Sequence, residues 1–193
     1  MSSRIAELVE QVFAEQGWEN DFQRYPVDWP FSIVWPNDAA TKVIYSTKPR
    51  VVIAGFGAAF ASGVPIIGRY GLPRNDDVIW ICRLIGGREV LFVGDLDPID
   101  LLTYSWMKDR FPDVALHYKG VSDGFLAELD VVLPDSYTIQ LSKAESDALP
   151  AVETAIGDLS AAVGPNCAAM LRQARKIELE AVVSASRQAG TAY

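Results

Sequence analysis

The amino-acid sequence predicts an α/β domain on a mainly parallel sheet, and three observations carry that prediction. Residues 89–94 (EVLFVG) and 114–118 (VALHY) are short, largely apolar runs of the kind shown by strands buried on both faces. Segments of helical period alternate with such runs, and alternation of the two periods marks parallel strands joined by crossover helices. At 193 residues, 50% of them hydrophobic and 22% charged, the chain has enough apolar side chains to bury one such core.

The elements follow in order. Ile5, Leu8, Val9, Val12 and Phe13 recur at helical spacing, with Ser2 or Ser3 as N-cap and Gly17 as the stop. Residues 20–36 are crowded with Trp, Tyr, Phe and Pro, which opposes helix and predicts an irregular cap or short strands. Residues 42–45 and 50–54 are β-branched runs, and residues 50–54 are expected to be the first parallel strand. Residues 77–84 (DVIWICRL) read as a strand or a short helix before Gly86-Gly87. Asp97 is a good N-cap, Pro98 suits the first helical position, and Pro112 marks that helix's end. Residues 137–141 (YTIQL) predict a further strand. Ser142 to Glu145 has capping-box spacing for a helix that Pro150 interrupts or kinks. Gly164-Pro165 breaks the chain again, and Asn166 is expected to cap a last helix with Met170, Ala174, Ile177 and Ala181 on its buried stripe. The organisation expected is an N-terminal helix and aromatic cap over residues 1–49, an α/β core over 50–141, and C-terminal helices packing on it over 142–193.

Charge and cysteine usage narrow the function. A net charge of −8 argues against a sequence-independent DNA coat, so nucleic acid would be met only through a local basic patch or a partner. The basic cluster expected is Arg172, Arg175 and Lys176 on the last helix, a candidate phosphate or partner contact as well as a solvated face. Cys82 and Cys167 lie far apart without zinc-site spacing and are expected to be reduced core thiols. The N-terminal segment has acids throughout and lacks the pattern of a secretory signal, and no apolar run reaches membrane-span length, so a cytoplasmic location is expected. His117, inside a strand and without a second ligand at suitable spacing, reads as a satisfied sheet residue. Trp29, Trp35, Trp80 and Trp106 read as core or rim rather than as base-stacking platforms.

The segment richest in chemistry is VLFVGDLDPIDLL. Asp95 and Asp97 follow a buried strand, at the strand end where open α/β sheets place their ligands. Two carboxylates two residues apart suit a hard divalent cation such as Mg²⁺ or Mn²⁺, and Asp100, one turn into the helix, is the third candidate ligand. Helix capping and the helix dipole account for Asp97 and Asp100 equally well without a metal.

GDLDPIDLLTYSWMK resembles the Asp-x-Asp-Pro segment of Toprim domains, as found in the A subunit of topoisomerase VI, its double-strand-break relatives and plasmid-defence nuclease subunits. VALHYKGVSD, YTIQLSKAESD and ARKIELEAV resemble later pieces in the same order, so the likeness runs from residue 50 to residue 183. It implies a Toprim fold, magnesium at Asp95 and Asp97, and a role in a nucleic-acid-processing or defence assembly. Toprim enzymes also carry a glutamate at the end of their first strand, whereas RVVIAGFG has Ala54 and Gly55 there. Nor are residues 1–49 enough for the winged-helix domain that bears a topoisomerase tyrosine, so Tyr25 and Tyr45 receive no catalytic role. The reading is a degenerate module, non-catalytic or dependent on a protein partner or a second copy, with Mg²⁺-dependent phosphodiester cleavage as the alternative. Glu89 and Glu128 are the remote acids considered as replacements for the missing glutamate.

Two further patterns compete. Gly55-x-Gly57 with Asp76 or Asp77 downstream resembles a dinucleotide fingerprint, although Phe60 stands at its third glycine. Asp95-Leu96-Asp97-Pro98-Ile99 resembles the nucleophile loop of haloacid-dehalogenase-like phosphatases, with Lys119 and Asp123 in the place of later motifs.

Overall fold

A computed structural model describes residues 4–18, 31–34, 38–60 and 63–188 of the chain. Among them the order is α1 (Arg4–Glu15), β1 (Phe31–Val34), β2 (Lys42–Ser46), α2 (Pro49–Phe60), β3 (Ile66–Arg69), α3 (Asn75–Ile85), β4 (Glu89–Val93), α4 (Pro98–Arg110), β5 (Leu116–Tyr118) and α5 (Asp123–Glu128). Then come β6 (Thr138–Gln140), α6 (Lys143–Ile156), α7 (Leu159–Val163), α8 (Pro165–Arg172), β7 (Arg175–Ile177) and α9 (Leu179–Gln188). The main sheet has strand order β1-β3-β2-β4-β5, with β3, β2, β4 and β5 parallel and β1 antiparallel at the edge. The α/β fold class expected from the sequence is therefore present.

The order of the strands positions the site. From β2 the chain passes through α2 to β3 on one side, whereas from β4 it passes through α4 to β5 on the other. The connections diverge between the carboxyl ends of β2 and β4, which opens the crevice where such sheets bind ligands. Val43, Ile44 and Tyr45 on β2 and Val90 and Phe92 on β4 have no solvent exposure, so the two central strands are anchored on both faces.

Several local expectations hold. Gly17 takes φ +70° just beyond α1. Asp97 caps α4 by accepting the Asp100 amide hydrogen bond, with Pro98 at the first position. Ser142 and Glu145 form the reciprocal capping box of α6. Ser2, Ser3, Tyr25, Trp29 and Trp35 lie outside the described residues, and of residues 20–36 only β1 is described. Trp80 is half-buried and Trp106 buried, as core or rim residues should be.

Others are corrected. Residues 50–54 are helix, the first turns of α2, and the strand before them is β2. Pro49 pre-sets a helical start, and the modest helix penalty of Val51, Val52 and Ile53 is outweighed by burying Val52 fully. Gly55 and Gly57 thus lie inside a helix rather than in a strand-to-helix phosphate turn, which removes the dinucleotide fingerprint. Gly55 serves packing instead, since a Cβ there would collide with the Val183 side chain of α9.

Of the two readings for residues 77–84, the helix is the one formed, as α3. Its 3.6-residue period turns Ile81 and Ile85 inward and leaves Ile79 and Cys82 exposed, so only Cys167 of the two thiols is a core residue. The strand expected at 137–141 exists as β6, but it pairs antiparallel with β7 in a separate two-stranded sheet. Helix α6 continues through Pro150 to Ile156. The single last helix is in fact α8, β7 and α9: Gly164 rather than Asn166 caps α8, and Ala174 at φ +56° turns the chain into β7. Ile177 is a strand residue whose carbonyl accepts the Leu96 amide at 2.9 Å, laying β7 against the acidic loop.

Among the described residues no helix is long and apolar enough to cross a membrane.

Candidate functional site: a buried aspartate cluster at a strand crevice

The chain leaves β4 through Gly94 and enters α4 at Pro98, so Asp95 and Asp97 stand at the carboxyl end of a central strand. Gly94 is required there, because a Cβ would overlap the Asp100 carboxylate and press on Thr47. All three aspartates are at most 6% exposed. Asp100 Oδ2 accepts both the Thr47 hydroxyl (2.7 Å) and the Asp95 amide (2.6 Å), while Asp97 Oδ1 accepts the Asp100 amide at 2.8 Å. Tyr118 on β5 donates its hydroxyl to the Asp95 carbonyl at 2.9 Å. The structure therefore brings together the three aspartates that the sequence singles out.

Five charged neighbours join them, of which only Lys176 was a candidate site residue in the sequence, and there as a phosphate or partner contact. Lys48, two residues past β2, places Nζ 2.8 Å from Asp95 Oδ2, 2.7 Å from Glu180 Oε2 and 3.7 Å from Glu178 Oε2. Lys176 on β7 pairs with Glu145 at 2.7 Å and Glu178 at 3.7 Å. The second Asp95 oxygen accepts the Leu179 amide at 2.7 Å, which ties the start of α9 to the loop. Together these groups line a cavity of about 390 Å³ to which α1 contributes Phe13 and the β3–α3 loop contributes Tyr70 and Gly71. The signals for Glu145 and Glu178 were present, as a capping box and as the "KIELE" stretch within the expected last helix, but neither pointed to the acidic loop. Lys48 carried no signal, since the first parallel strand was expected at residues 50–54, past the lysine, rather than at the β-branched run before it.

The other candidates disperse. Arg172 pairs with Glu153 at 3.0 Å on an exposed face, and Arg175 donates to the Asp135 carbonyl at 2.9 Å. Only Lys176 reaches the cavity, so the three do not form one basic patch. Glu89 sits at the opposite end of β4 beside Lys42, and Glu128 lies on α5 near Lys119. Neither supplies a third acid. His117 is an exposed sheet residue 3.7 Å from Glu89. Asp123 is engaged at the α8 N-terminus, accepting the Asn166 and Cys167 amides.

Burial dominates the electrostatics. It pushes Asp95 up to about 7 and Asp97's negative charge adds to it, while Lys48 and the Leu179 amide pull downward without cancelling it. Asp97 and Asp100 are raised too, burial being the leading cause in both. For Lys48, burial opposes the charged form, but Asp95 and Glu180 outweigh it and its pKa is raised.

A carboxyl whose folded pKa exceeds its unfolded one binds more protons when folded. Its contribution is therefore present at low pH and lost as pH rises through the folded value. Relative to Asp95→Asn, the wild-type protein is expected to lose stability between about pH 4 and pH 7. Urea midpoints of the two proteins across that range check this, and parallel curves would contradict it.

The residue types suit an oxygen-ligated divalent cation, but Asp95 and Asp100 already hold other partners. Both Asp95 oxygens are engaged and Asp100 Oδ2 holds two donors. Among the described residues no group of three or more His, Cys, Asp or Glu is set to hold a metal. In this arrangement the cation at Asp95 is the Lys48 ammonium. In comparison with known proteins, no family model and no curated protein matches the chain.

Proposed function

We propose that the chain is a Toprim-like module that is not catalytic by itself and acts through a protein partner in a nucleic-acid-processing or defence assembly. The observation that carries this reading is the identity of the side chain opposite the aspartates across the crevice. The Toprim resemblance calls for a glutamate at the end of the first parallel strand. Once β2 is seen to be that strand, the residues following it are Thr47 and Lys48. A lysine supplies neither a metal ligand nor a carboxylate base, and its ion pair neutralises the first aspartate of Asp95-x-Asp97. The buried carboxylates then work as internal fasteners joining the loop after β4 to α4, to the segment after β2 and to the start of α9.

The alternative of Mg²⁺- or Mn²⁺-dependent phosphodiester cleavage rests on the position of Asp95 and Asp97 at the switch point. One assay separates the two. Purified chain is incubated with supercoiled plasmid and with single-stranded DNA in millimolar Mg²⁺ or Mn²⁺, alongside the double variant Asp95→Asn, Asp97→Asn. The expected result is no cleavage by either protein. Cleavage by wild type that disappears in the double variant would overturn the non-catalytic reading.

A further inference from the structure

We propose that Lys48 is an internal cation that holds the place of a divalent metal at Asp95 and thereby decides whether the strand-end site can bind one. The inference rests on the acidic crevice described above and adds to it the residue that controls its occupancy. Lys48 Nζ lies within 4 Å of carboxylates from two segments of the chain: Asp95 after β4, and Glu178 and Glu180 at the start of α9. An ammonium there satisfies the Asp95 charge, which the fold would otherwise bury uncompensated. The side chain is 21% exposed, so it has a route out towards solvent.

A second observation marks the crevice as incompletely filled by protein. Asp97 is 6% exposed and lines the cavity. One of its oxygens accepts the Asp100 amide, and the other has no hydrogen-bond partner among the described residues. Asp97 thus offers one oxygen without a partner among the described residues, in the same cavity as the carboxylate that Lys48 covers. With Lys48 in place, a cation arriving at Asp97 meets a positive neighbour rather than a second ligand. Without it, two carboxylates face the same cavity, and the two-carboxylate arrangement common for Mg²⁺ and Mn²⁺ becomes available.

The test is a series of thermal melts with about 10 mM MgCl₂ or MnCl₂ against chelator, on wild type, Lys48→Met, Lys48→Gln and Lys48→Arg. For a site of about millimolar affinity, that concentration raises the melting temperature of a protein this size by about 3–6 °C. Wild type and Lys48→Arg, which keep the cation, should show no metal-dependent shift. Lys48→Met and Lys48→Gln should melt lower in chelator and recover with metal, and adding Asp95→Asn to either should abolish the recovery. Should Lys48→Met fail to fold, the more polar Lys48→Gln carries the test.

An equal metal shift in wild type and in the charge-removing variants would overturn the role of Lys48. Absence of any shift in the charge-removing variants would overturn it as well, because Lys48 would then guard nothing. Neither outcome depends on the DNA-cleavage assay, so the failure of this inference and that of the non-catalytic reading are told apart.

Discussion

Replacing Asp77 by Ala is expected to destabilise the protein by about 3–5 kcal/mol, the range for removing one partner of a buried ion pair. Arg69 at the end of β3 is 1% exposed, and its Nε stands 2.7 Å from Asp77 Oδ2 on α3. Burial works against the guanidinium charge, and Asp77 is the main influence opposing that effect. Without the carboxylate, the guanidinium retains the Tyr70 and Leu72 carbonyls but loses the charge that Asp77 sets against it. Asp77 also accepts the Arg74 amide and the Trp80 indole N–H, so the first turn of α3 loosens as well. The site feels the change, because Tyr70 and Gly71 form one wall of the crevice. Urea unfolding should show a lower midpoint with little change in slope. Asp77→Asn, which retains shape but not charge, should fall between wild type and Ala. A loss under about 1 kcal/mol for Asp77→Ala would mean that the Arg69 charge is not held by this pair.

Trp106→Ala is expected to cost a similar amount, about 3–5 kcal/mol, through the cavity it leaves. Its ring is 1% exposed on α4, packs edge-on to Phe111 with centroids 6.4 Å apart, and lies under the Arg110 guanidinium at 5.5 Å. The indole N–H donates to Glu10 Oε1 at 2.8 Å, and Arg110 pairs with the same carboxylate. That junction seats α1 on α4, and α1 brings Phe13 to the lining of the crevice. The melting temperature should fall by about 6–20 °C, the shift such a loss produces in a chain of this size. Trp106→Phe keeps most of the apolar volume and loses the indole donor, so its loss should be nearer 1 kcal/mol. Equal effects from Phe and Ala would assign the stability to the Glu10 hydrogen bond rather than to packing.

Both predictions concern groups that sequence reading placed only loosely. Asp77 stood in a segment open to strand or helix, and Trp106 was one aromatic among several. Where local chemistry governs, the reading from residues alone held. The Asp97 cap with Pro98, the Ser142–Glu145 box, the Gly17 stop and the strand at β4 depend on neighbours within a few residues, and such signals are written in the chain order. Asp95, Asp97 and Asp100 belong with them, because a strand end and the first turn of the following helix bring the three together whatever the rest of the chain does.

By itself, the sequence determined the α/β class and the acidic loop at the end of a buried strand. Tertiary structure alone decided which strand lies across the crevice and what stands there. A β-branched run such as residues 50–54 has the composition of a strand and became α2, because β2 had already filled the central position of the sheet and Val52 gained more from packing as helix. That exchange moved the residue opposite Asp95 from Ala54 to Lys48. Glu178 and Glu180, some 130 residues further along, reach the same ammonium only because β7 bridges to Leu96 and α9 starts at the Asp95 carboxylate. Charge pairs between distant segments have no period and no local signature, so their partners emerge only when the backbone brings them within a few ångströms.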